Sequence, residues 1–174
     1  MKLDLRVKAT PLALQQKFAL ETRLANLVSR SSEVVLPVES LRKQIKKLTA
    51  QANGSAGESL KALDAKLAAF LDGPEKAVPN APRGAKDVNG DIYSLYGAAS
   101  GNDSVSKDAD AAPTPALIAA TSNVEKELPA IVKTWEQIKA TDIPATNQQL
   151  KAANLPELRV TAEANTDDNG MDRE

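Results

Sequence analysis

The feature that most constrains this chain is a row of apolar and small residues spaced alternately four and three apart. It runs Leu20, Leu24, Leu27, Ser31, Val34, Val38, Leu41, Ile45, Leu48 and Ala52. That spacing returns to one side of an α-helix every two turns, so the row is a seam that faces a partner. The seam passes Pro37 without a slip in phase, and Pro37 itself lies off it. A loop would normally reset the phase. The seam therefore predicts one helix over 12–52, bent near Pro37, in preference to two helices joined by a turn. Thr10-Pro11 supplies an N-cap and a first helical residue, and Asn53-Gly54 supplies the stop. Such a helix is about 60 Å long at about 1.5 Å per residue, so more than one other element must cover it.

The remaining helices follow from the same reading. A helix over 58–71 carries Leu60, Leu63, Leu67 and Phe70 and ends at Gly73-Pro74. Residues 74–90 hold Pro74, Pro79 and Pro82 and read as a long central loop. A short helix over 88–100 carries Ile92, Leu95, Tyr96 and Ala99, and 101–112 is polar loop. Pro113-Thr114-Pro115 opens the last long helix, with the seam Leu117, Thr121, Val124, Leu128, Ile131, Trp135 and Ile138. Pro129 lies off that seam and marks a second kink. Thr141-Asp142 breaks this helix and caps a short one, with Pro144 near its start and Leu150 turned inward.

The fold class is therefore all-α: an up-and-down helical bundle with two long kinked helices, shorter helices and a long central loop. One domain spans 1–158, and the seams share one core. Residues 159–174 are expected to form a disordered acidic tail. The 29 alanines and the 3% of aromatic residues suit an Ala-rich, closely packed helical core and disfavour sheets.

Composition removes several chemistries. With no His and no Cys there is no imidazole base, no thiolate and no disulfide framework, and the lack of Cys leaves the compartment open. No apolar run reaches the roughly 20 residues that span a bilayer. Met1 to Thr10 has no apolar core of a signal peptide, so an export signal would lie upstream. Glu125 and Glu127 fall on different faces of a helix and read as solvated surface rather than an acid/base pair. Asp87-Val88-Asn89-Gly90-Asp91 shares letters with a calcium loop. Its Gly stands fourth rather than sixth, and Ala98 stands where the loop needs Glu, so it reads as a turn. No catalytic, cofactor or metal residue is assigned.

Arg42, Lys43, Lys46 and Lys47 form a basic stripe opposite the Leu41/Ile45/Leu48 seam and are the candidate partner-binding residues. The bland reading is a wet helix face. The functional one is contact with phosphate or an acidic partner. Nucleic acid is disfavoured, because the net charge is −1 and no aromatic residue stands beside the stripe for bases to stack on.

Four segments, in order, carry a resemblance. Asp4-Leu5-Arg6-Val7 with Leu14-Gln15-Gln16-Lys17-Phe18 resembles a "DPRV…LxxQF" pattern, with Leu5 in place of its Pro. Ser40-Leu41-Arg42-Lys43-Gln44-Ile45 resembles "IRxLRxQL". Asp108-Ala109-Asp110-Ala111-Ala112-Pro113-Thr114 resembles "aDAxPT", and Trp135 through Asp142-Ile143-Pro144-Ala145-Thr146-Asn147 resembles "W…DxPxxN". Over roughly 4–158 the chain resembles the C-terminal helical domain that follows sortilin-like, BNR-repeat β-propellers in large exported bacterial proteins. The resemblance implies an extracytoplasmic, non-catalytic module for structure or protein interaction, docked on a propeller or another protein. Two alternatives stay open. One is a stand-alone adaptor binding an acidic partner or nucleic acid through Arg42–Lys47. The other is an accessory domain of a BNR-repeat glycosidase whose catalytic propeller lies elsewhere.

Overall fold

The computed structural model describes residues 10–73, 83–101 and 112–161. These form five α-helices and one π-helical segment: α1 Pro11–Thr49, α2 Gly54–Asp72, α3 Ala85–Ser100, α4 Pro115–Gln137, the π-helical Ile138–Asp142, and α5 Ile143–Ala152. The all-α class read from the sequence holds.

α1 is one unbroken helix with Pro37 inside it, as the seam predicted. The Thr10 side chain accepts the N–H of Ala13 at 3.2 Å, and Pro11 follows in the first turn, where a missing N–H costs nothing. Its end departs from the expectation. Ala50 is the C-cap, and Asn53 starts α2 rather than stopping α1. α2 accordingly opens at Gly54, four residues before the expected start.

Side-chain pairs between helices fix their directions. Glu39 with Lys86 (3.0 Å), Ser31 with Asn89 (2.8 Å) and Ser32 with Tyr93 (3.2 Å) set α3 antiparallel to α1. Arg42 with Asp64 at 2.8 Å, and Asp72 beside Lys86, set α2 antiparallel to α1 over its other half. α2 and α3 thus lie end to end as one descending rod. Their junction is Gly73 (φ +73°) against Gly84. A Cβ on Gly84 would sit 2.6 Å from the Asp72 carbonyl carbon and 2.7 Å from the Gly73 nitrogen, so no side chain fits there. α3 begins at Ala85 inside what the prolines suggested was loop, and 74–82 lie outside the described residues.

The third rod ascends beside α1, with Arg23 on α1 paired to Glu125 on α4 at 2.6 Å. Here a second expectation is corrected. Thr141-Asp142 does not break the chain; Asp142 keeps helical dihedrals, and a π turn carries α4 directly into α5. The Ile143 N–H reaches back to the Ile138 carbonyl, five residues away. The wider turn ends just before Pro144, where an α-helical ladder must lose a donor in any case. The Thr141 and Thr146 hydroxyls donate to the Gln137 and Asp142 carbonyls, at 2.7 and 3.0 Å, within the same stretch.

The core is not single. One cluster joins Leu20, Leu24 and Leu27 to Val88, Ile92, Ala99, Val124 and Leu128. The other joins Val34, Val38, Leu41 and Ile45 to Leu60, Leu63, Leu67, Leu71, Trp135, Ile138 and Leu150. Partly buried Ile131 and Val132 touch both. The division follows from the second rod being two helices, each with its own apolar face. Nor is the core Ala-rich. Among the described alanines only Ala56, Ala85 and Ala99 are buried. The others populate outer and intermediate faces, where Ala contributes helix propensity rather than packing.

The domain boundary also moves. Leu158 is buried, two side-chain amides each bond the backbone twice at Leu158 and Arg159, and the Thr161 hydroxyl lies 3.2 Å from that of Ser40. Asn147 accepts the Leu158 N–H at 2.8 Å and donates to its carbonyl at 3.1 Å. Gln44 accepts the Arg159 N–H at 3.0 Å and donates to its carbonyl at 2.8 Å. The expected tail therefore does not start at 159, and 162–174 lie outside the described residues.

Candidate functional site

The four basic residues singled out from the sequence do not act as one stripe. Arg42 turns to α2, donating to Asp64 at 2.8 Å, with Asp72 at 3.9 Å. Its pKa is raised above the ordinary guanidinium value, chiefly by the hydrogen bond to Asp64, against the opposing effect of burial. Arg42 is thus a bridge between helices. Lys43 and Lys46 line an open groove of about 710 Å³ between α1 and α2. Lys61 from α2 joins them, over Ile45, Thr49, Ala50 and Ala65. Lys47 is exposed on α1 but is not among the groove's lining residues. Lys43, Lys46 and Lys61 form no ion pair among the described residues, whereas Asp64, the groove's carboxylate, is held by Arg42. Lys61 gave no signal in the sequence, because only the α1/α2 pairing brings it opposite Lys46.

Other charged residues are engaged between rods. Glu125 accepts from Arg23, and Glu127 from Arg83 at 3.3 Å; both carboxylates lie on the solvated surface, as read, and each pairs there with a different neighbouring element. Arg83 also binds Asp91 at 2.6 Å. The arginines Arg23 and Arg83 are held above their ordinary pKa chiefly by their bonds to Glu125 and Asp91. Asp87 through Asp91 lie within α3, not in a loop. There Asn89 donates to Ser31, whose hydroxyl donates to the Val28 carbonyl at 3.1 Å. A second recess, about 320 Å³, lies between α2 and the π segment around the Lys66–Asp142 pair. Among the described residues no group of three or more acidic, His or Cys side chains is placed to hold a metal ion. No described helix is long and apolar enough to cross a membrane.

The amino end of the bundle carries the two most exposed large apolar side chains among the described residues. Phe18 is 71% exposed and Leu12 63%, with Leu14 also exposed. At about 100° per residue, Phe18 lies nearly opposite the local seam and Leu14 lies well off it, so neither is aimed at the core. Ile118 is exposed near the start of α4. The Arg23–Glu125 pair sets α1 and α4 in register, so these side chains share one end of the molecule. Sequence patterning passed over them because they interrupt no seam. Leu14 and Phe18 stand out only through the resemblance.

Fold and surface together define an all-α helical bundle with an apolar amino end and a cationic groove. Set against known proteins, the chain matches no family model, no curated protein and no solved structure.

Proposed function

We propose that this chain is a non-catalytic interaction module that docks a β-propeller domain preceding it in the same polypeptide, through the amino end of α1 and α4. The observation that carries this reading is the outward-facing pair Leu14 and Phe18, four residues apart on one helix, with Phe18 71% exposed. A large aromatic side chain turned away from its own core is a typical anchor for a partner surface. The position supports the same reading, since a preceding domain joins the chain at this end. Leu14 and Phe18 also belong to the motif by which the chain resembles propeller-associated helical domains. The chain's ionised side chains support a structural role: Arg23, Arg42, Arg83, Glu125 and Glu127 link helices to one another.

The reading is tested on the natural gene. The reading frame before Met1 should encode a propeller. That domain, produced separately, should bind this chain in a calorimetric titration. Leu14→Asp with Phe18→Asp should weaken binding at least about tenfold, or about 1.4 kcal/mol. A gene with no propeller, or a titration indifferent to the double substitution, contradicts the proposal.

A further inference from the structure

We infer that the cationic groove between α1 and α2 is an acidic-peptide site, and that its occupant is the chain's own segment 162–174. Three observations carry this.

The first is charge. Arg42, Lys43, Lys46 and Lys61 line the groove with the single carboxylate Asp64. Segment 162–174 carries Glu163, Asp167, Asp168, Asp172 and Glu174 against the single base Arg173. Asp64 is already neutralised by Arg42, which leaves the three lysines for an incoming anion.

The second is the exit point. Thr161 lies against α1, its hydroxyl 3.2 Å from that of Ser40. Gln44 holds Arg159 beside it. Residues 162–174 therefore leave from the flank of α1 next to the lysines.

The third is a path of the right length. Ser40, Lys43, Lys46 and Thr49 stand three apart and form one oblique row on α1. Each step rises about 4.5 Å and turns about 60° the opposite way, so the row winds across the outer face from the exit point to the groove. On a helix surface of about 5–6 Å radius, Lys43 lies about 7 Å and Lys46 about 15 Å from Ser40 along this row. The chain passes Gln44 at Arg159 and Ser40 at Thr161, so it must turn back toward the groove; thirteen residues at about 3.3 Å each span about 43 Å, enough for a turn and the roughly 15 Å to Lys46. Each acid–lysine pair is solvent-exposed and weak alone, but the tether gives the segment an effective concentration that a free peptide lacks.

The sequence has no Cys, so Gly170→Cys carries a single nitroxide on the full chain. The label should broaden the backbone amide signals of Lys46, Lys61 and Ala65 far more than those of Ala19 and Ser122, at the other end of the bundle. The effect should vanish when ionic strength rises from about 0.01 M to about 1 M, shortening the Debye length from about 30 Å to about 3 Å. It should also vanish in the Lys46→Glu, Lys61→Glu variant. As a check free of lysine substitutions, ending the chain at Thr161 should shift the same groove amides. Three results overturn the inference: no selective broadening, broadening that survives both salt and charge reversal, or broadening seen only between molecules in a mixture of isotope-labelled and nitroxide-labelled chains.

Discussion

Two parts of α1 use the same residue types to opposite ends. From Leu20 to Ile45, the seam leucines, valines and isoleucine are buried against the descending and ascending rods. From Leu12 to Phe18 the apolar residues face solvent. α3 reaches only as far as the Leu20–Leu24 level, where Ala99 joins that cluster. Beyond it the described helices leave α1 flanked by α4 alone, and Phe18 points away from that neighbour's side. A Leu or Phe on a helix is therefore not evidence of core by itself. Its angle to the seam, and the reach of the neighbouring rod, decide whether it holds the fold or is free to meet another domain.

That contrast is broken most easily at its buried end. Trp135 is 2% exposed and packs within the larger cluster, so Trp135→Ala should cost about 3–5 kcal/mol in a urea unfolding curve. Leu41, fully buried on α1, should lose about 2–5 kcal/mol on truncation to Ala. A loss below about 1 kcal/mol at either site would show that the core is not where the seam puts it. Gly84→Ala forces a methyl into the Asp72–Gly73 backbone and should cost about 1–3 kcal/mol, read as a drop in Tm. An unchanged Tm would mean that the α2–α3 junction yields freely. Asn147→Ala removes both bonds to Leu158 and should cost about 1–2 kcal/mol, with faster exchange of the Leu158 amide. At the other extreme, Phe18→Ala should change stability by less than about 0.5 kcal/mol, although it deletes the largest exposed apolar side chain on α1. A destabilisation like that of Leu41→Ala would place Phe18 in the fold and remove it from docking.

Much of this fold was legible in the sequence, because periodicity and caps are local properties. The unbroken α1 through Pro37, the Thr10 and Thr114 caps, the Gly73 stop and the burial of Trp135 all follow from spacing and turn chemistry. What escaped is non-local. The split of the core depends on α2 and α3 stacking end to end, which no single seam records. The π turn at Ile138–Asp142 keeps Thr141-Asp142 helical, although in isolation those residues read as a break and a cap. The clamps on Leu158 and Arg159 need Gln44 and Asn147, more than 100 residues apart in sequence, to converge on one non-helical segment. The same limit applied to the site. Arg42, Lys43, Lys46 and Lys47 were visible as a cluster, but the pairing of Arg42 with Asp64, and the arrival of Lys61, depend on α2.

The proposed docking of another domain on the amino end of α1 has a direct readout. Amide hydrogen exchange tests it directly, on this chain alone and on the natural polypeptide that contains it. Joined to a preceding propeller, the amides of Ala13 to Ala19 should exchange at least about tenfold more slowly than in the isolated chain, while those of Leu41 to Ile45 stay unchanged. Equal exchange at Ala13 to Ala19 in both forms would contradict the account.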